Sequence, residues 1–233
     1  MVKCCFNPAT FTFLDTLHAN NNRVWFDEHR QDYEDAVRSP ALDFINAMAD
    51  DIADISPHFC AVAKKVGGSL MRVHRDVRFG RDKRPYKTNI GIQFRHARGK
   101  DVHAPGFYVH LEPRECFLGV GIWRPDASTL DRIRIAIDET VAAWIKASRD
   151  TKFAKSFIFA GDSLMNAPRG YAKDHPLLDD ISMTYRRRKD FIAIKTFPPA
   201  LASTERFQPE VVKSFRAAVP LMTFLCQALE LPI

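Results

Sequence analysis

The spacing of apolar residues predicts an α+β fold: a mixed, largely antiparallel central sheet packed against helices. Two changes of period carry that expectation. Apolar positions recur every three or four residues through the first 60 residues, then every second residue from Gly67-Gly68 to Trp123, then at helical spacing again from Asp126. No repeat, low-complexity tract or linker-like stretch interrupts the 233 residues. One domain over 1–233 is therefore expected, with 1–60 a helical layer of it and not a separate unit.

Phe11, Phe13, Leu14 and Leu17 mark a first helix, and Asn20-Asn21-Asn22 ends it and supplies a cap for the next. Trp25, Phe26, His29 and Tyr33 lie on one side of that second helix, mostly as core. Pro40 opens a third, where its missing N–H is harmless, with Leu42, Ile45, Met48, Ala49 and Ile52 as the buried stripe. Strands are expected near 69–76, 90–97, 106–112 and 115–123, each with one apolar and one polar face. A two-residue turn at Pro113-Arg114 pairs residues whose numbers sum to 227, so Val109 meets Leu118 and Tyr108 meets Gly119. Asp126–Lys146 reads as one helix, 157–159 and 191–195 as short strands, and Pro209 as the start of a last helix that Pro220 kinks or splits.

The segment from Arg72 to Lys100 holds ten Lys/Arg against Asp76 and Asp82, a charge of +8 in a chain of net charge +6, so the remainder sums to −2. A near-neutral body with one cationic block favours an anionic partner. Arg72, Arg75, Arg78, Lys83 and Lys87 are candidate phosphate or carboxylate ligands, with Tyr86 to stack or donate, and Tyr108 beside a floor of Gly119 and Gly121. His74, His110 and Glu112 are candidate acid–base groups on the polar faces of neighbouring strands. Asp174-His175-Pro176 adds a loop histidine, with Arg169 nearby. Each has a plainer reading: Arg–Asp pairs that hold a loop, a tyrosine that packs, histidines that bond structurally or cap. A metal shared by His110 and Glu112 is chemically allowed, but the expectation is no metal and no cofactor. Arg186-Arg187-Arg188-Lys189 reads as an exposed turn.

Five cysteines, odd in number and without a C-x-x-C pair, indicate neither a disulfide framework nor a zinc cluster. The N-terminus lacks a secretory pattern and no apolar run reaches a membrane span, which predicts a cytoplasmic protein with no membrane partner. Gly119-x-Gly121 lacks the third glycine of a dinucleotide fingerprint, and there is no P-loop or nucleophile elbow.

Several longer motifs point to a family. They are Asn21-Asn22-Arg23-x-Trp25-Phe26, Gly67-Gly68-Ser69-x-x-Arg72, and Arg75-Asp76-x-Arg78-Phe79-x-x-Asp82-Lys83-x-Pro85-Tyr86-Lys87-Thr88-Asn89. Pro105-Gly106-Phe107-Tyr108, Gly121-Ile122-Trp123-Arg124-Pro125, Ala167-Pro168-Arg169-Gly170-Tyr171 and Asp174-His175-Pro176 complete them. Across nearly the whole chain they resemble the domain-of-unknown-function family numbered 2461, a conserved hypothetical protein family of bacteria and fungi. The resemblance implies one intact domain and a cytosolic setting, and no activity; Arg84 stands where the family favours Thr. Two functional classes follow from the residues. One is an enzyme that binds a small phosphorylated or carboxylated substrate through the Arg/Lys/Tyr cluster and moves protons with His and Glu. The other is a non-catalytic module that places the same block on nucleic acid. A third reading is a structural or interaction protein whose Arg–Asp pairs only organise the fold.

Overall fold

In the computed structural model, described at residues 6–78, 82–99, 103–166, 168 and 185–233, the α+β expectation holds. Helix α1 (Pro8–Ala19) begins at a capping box in which Asn7 accepts from Ala9 and Thr10 N–H, and α2 (Arg23–Glu28) begins where Asn22 accepts from Trp25 N–H. Then follow α3 (Arg30–Tyr33), a π-helical turn (Glu34–Arg38), α4 (Ser39–Ala47) and α5 (Ala49–Ile55). Pro40 sits in the first turn of α4, where its missing donor costs nothing.

The strands are β1 (Phe59–Cys60), β2 (Ile90–His96), β3 (Gly106–Leu111), β4 (Cys116–Ile122), β5 (Ile158–Ala160) and β6 (Phe191–Thr196). They form one sheet in the order β1-β2-β3-β4-β6-β5, and every pairing among the described residues is antiparallel. The β3–β4 register pairs Val109 with Leu118, Leu111 with Cys116 and Tyr108 with Gly119, as the apolar alternation requires. Glu112 and Glu115 exchange backbone hydrogen bonds across Pro113-Arg114, which closes the hairpin with a two-residue loop.

After β4 come α6 (Ala127–Glu139), α7 (Val141–Ser148) and α8 (Thr151–Ser156), and after β6 come α9 (Pro199–Ala202), α10 (Phe207–Ala217) and α11 (Val219–Ala228). Phe107, Val109 and Leu111 are completely buried, in one cluster with Phe215, Leu221 and Leu225 of the C-terminal helices and with Leu17, Phe44 and Ile45 of the N-terminal ones. That cluster runs from Phe6 to Cys226.

Three expectations need correction. Residues 69–76 form no strand, only bridges: Leu70 pairs with Ile92 of β2, then His74 pairs with Tyr86. The segment changes partner midway, so no continuous ladder develops. The helix expected over Asp126–Lys146 breaks at Thr140, whose backbone (φ −136°, ψ 51°) is not helical, although Ile133, Ile137 and Trp144 still share the buried side. The basic run at Arg186 is not an exposed turn: Arg186 is fully buried and ion-paired to Asp138, and Arg188 donates to Ala160 O at 2.7 Å. Pro220 does split the last helix, into α10 and α11.

Candidate active site

Because side chains alternate along β3, the same strand that buries Phe107, Val109 and Leu111 turns Tyr108 and His110, and Glu112 just past its end, to the opposite side of the sheet. There they form a linear relay. Tyr108 Oη lies 3.1 Å from His110 Nδ1, and His110 Nε2 lies 3.3 Å from Glu112 Oε2. A carboxylate only accepts, so Nε2 carries the imidazole proton and Nδ1 accepts from the phenol. The Asn89 amide approaches Nδ1 at 3.4 Å, and Thr88 donates to the other Glu112 oxygen at 2.9 Å. Both ring nitrogens are thus engaged in hydrogen bonds. Among the described residues no group of three or more His, Cys, Asp or Glu is arranged to hold one.

Packing fixes the relay. Phe117, the cross-strand neighbour of His110, stacks on its ring at 4.5 Å and 10°. Gly119 lies against Tyr108, where a Cβ would meet the tyrosine Cβ at 3.4 Å, an ordinary contact. Gly91, opposite His110, clears space for the phenol itself, since a Cβ would lie 2.7 Å from Tyr108 Oη. Burial raises the Tyr108 phenol well above its ordinary value, with Glu112 adding to the effect. Burial also lowers His110, against the opposing pull of Glu112, so the imidazole is held neutral.

The cationic block reaches this relay through Thr88 and Asn89. Arg75 N–H donates to Pro85 O at 2.8 Å and Lys87 N–H to Val73 O at 2.7 Å, forming a short antiparallel pair. Asn21 secures it from α1 and α2: its side chain accepts from Tyr86 N–H at 3.1 Å and donates to Tyr86 O at 3.0 Å, as a neighbouring strand would. Lys87 immediately precedes Thr88 and Asn89, the two residues of this arm that bond the relay. Lys87 is half-buried, and no carboxylate forms an ion pair with it among the described residues. Its ammonium is lowered by burial and then by the nearby charges of Arg72 and Arg75.

The remaining sequence candidates are spread more widely. Arg75 pairs with Asp82 at 2.5 Å, and Arg84 pairs with the same carboxylate at 2.7 Å. Asp82 is consequently held well below the usual carboxylate range, chiefly by Arg84. Arg78 pairs with Asp76 at 2.7 Å, which brings the Asp76 carboxyl down to about 2. Lys83 donates to Val77 O at 2.9 Å. Tyr86 is buried, stacked on Phe26 at 4.0 Å, so its ring is not presented to a ligand. His74 contacts Tyr86 and makes none of the relay's hydrogen bonds. Gly121 has φ +114°, and a Cβ there would strike Phe191 O, so this glycine answers to the β4–β6 pairing and not to a ligand floor. His175 and Arg169 lie outside the described residues, as does Phe79.

Sequence reading missed Thr88, Asn89 and Phe117. Phe117 had a signal, since it sums with His110 to 227; Thr88 and Asn89 precede β2, where strand alternation does not apply. No curated protein and no solved structure matches the chain. Residues 9–224 match a family described as a conserved hypothetical protein, DUF2461, and that coverage means the chain belongs to this family.

Proposed function

We propose that the protein is an enzyme that moves a proton on a small phosphorylated or carboxylated substrate held beside the Tyr108–His110–Glu112 relay. The observation that carries this reading is the ordered relay, joined by Thr88 and Asn89 to an arm whose half-buried Lys87 has no ion pair among the described residues. Lys87 is the principal anion contact, with Arg72 and Arg75 adding to the field that draws the substrate in. Glu112, part-exposed at the open end of the relay, takes the substrate proton. His110 and Thr88 orient its two oxygens, and Tyr108 fixes His110. Lys87 then stabilises the negative charge that develops on the substrate. The reading treats residues 1–233 as one domain in the cytoplasm, and the continuous core supports the first part. No described helix is long and apolar enough to cross a membrane.

Deuterium exchange tests it. A panel of small phosphorylated and carboxylated compounds in D2O with the protein, followed by proton NMR, should show selective exchange in at least one compound. Glu112→Gln should slow that exchange about 100-fold or more while binding persists, and Lys87→Gln should weaken binding about tenfold or more. Binding of the whole panel without selectivity, or exchange indifferent to both changes, would overturn the proposal. A nucleic-acid module would instead bind oligonucleotides with a steep salt dependence. Burial of the Tyr86 ring against Phe26 weighs against stacking on bases.

A further inference from the structure

On the helical side of the sheet, away from the relay, α8, α10 and the end of β6 enclose a groove of about 860 Å3. Lys152 and Lys155 lie three apart on α8, and Lys213 and Arg216 lie three apart on α10, so each pair occupies one helix face. Both pairs line the same groove. Lys195 belongs to the inward parity of β6 with Phe191 and Ala193, and reaches the groove floor.

The acids in the groove are already engaged. Glu210 accepts from Lys195 Nζ at 2.6 Å, and Lys195 also donates to Ser214 Oγ at 2.9 Å. Asp51 accepts from Gln208 Nε2 at 2.9 Å. Arg216 forms a long ion pair with Asp54 at 3.9 Å, with both side chains more than half exposed. Lys152, Lys155 and Lys213 form no ion pair among the described residues. Facing rows of cations, three of them without an ion pair among the described residues, repel one another, and a ligand with charge distributed along its length relieves that repulsion on both walls at once. Glu210 reports the same field: its carboxyl is lowered by Lys195 first and by Lys213 and Arg206 in addition.

We propose that this groove binds a small oligophosphate, a chain of two or more linked phosphates bridging the α8 and α10 lysines, independently of the relay. Linked phosphates place charge at each wall. The volume suits a ligand of that size.

Calorimetric titration with inorganic tripolyphosphate and with orthophosphate tests the assignment. Tripolyphosphate should bind one per chain and at least about tenfold tighter than orthophosphate. Lys152→Gln/Lys155→Gln and Lys213→Gln/Arg216→Gln should each weaken it about tenfold or more. Two controls remove charge elsewhere: Lys64→Gln/Lys65→Gln on an exposed turn, and Lys87→Gln beside the relay. Neither should change the affinity, and all the altered side chains in the groove are exposed, so melting without ligand should stay unchanged. Equal affinity for the two anions would overturn the proposal, as would an equal loss in the Lys64/Lys65 control. Loss in Lys87→Gln alone would move the ligand to the other site. Tighter binding of a single-stranded oligonucleotide, with a steep salt slope, would make the groove a nucleic-acid surface.

Discussion

His110 is neutral because its ring is packed between Phe117 and the sheet, and because the phenol of Tyr108 needs an acceptor at Nδ1. Protonating it would turn that acceptor into a donor facing another donor. A histidine whose value falls on folding binds its proton more readily in the unfolded chain. Its contribution to stability is therefore fully present above the unfolded value, near about 6.5, and is lost as pH falls through the lower folded value. Denaturant titrations at pH 7 and pH 5 should show the native protein losing stability on acidification, and His110→Asn should flatten part of that slope. An unchanged slope in the variant would mean that His110 does not titrate in this window. The same pH change should leave the Asp82 pairs with Arg75 and Arg84 intact, because that carboxylate is held far below pH 5.

The short antiparallel pair at residues 73–75 and 85–87 depends on an amide side chain from the N-terminal layer. Asn21 makes both hydrogen bonds to the Tyr86 backbone, and Phe26 covers the Tyr86 ring. Asn21→Ala should cost about 1–3 kcal/mol, through one backbone donor and one acceptor left without protein partners. Amide exchange should accelerate at Tyr86 and Lys87 while β3 stays protected; unaltered exchange there would show that the pair stands without Asn21. Elements of this kind mark how far the sequence could be read. The β3–β4 hairpin was legible because four apolar residues and a two-residue turn agree on one register. Residues 69–76 alternate equally well, yet the chain shares its backbone bonds between β2 and residues 85–87, a division that no local pattern records. His110 and Glu112 were legible as a pair at strand spacing, whereas His74 was joined to them only by assuming an adjacent strand. The α8–α10 groove was not legible at all. Its lysines look like ordinary solvated helix faces until two distant segments bring them opposite each other.

At the scale of the whole molecule, the segment after the last helix is fastened to β2, one strand in from the edge of the sheet. His96 in β2 is fully buried, and its Nδ1 accepts from Arg98 N–H at 3.2 Å, so Nε2 carries the proton that it donates to Pro232 O at 2.9 Å. Ending the chain at Leu231 should lower stability by about 1–3 kcal/mol, the cost of a buried donor without its acceptor. Thermal melting reads the change, and an identical melting temperature would show that water replaces the carbonyl without loss. The two-sided character of β3 has another consequence. With hydrophobic packing on one side and the relay on the other, a single codon gained or lost inside Gly106–Leu111 would exchange the two sides, burying His110 and exposing Val109. Insertions and deletions in relatives should therefore gather between His96 and Gly106, and the spacing from Tyr108 through Glu112 should keep its length wherever the relay is kept.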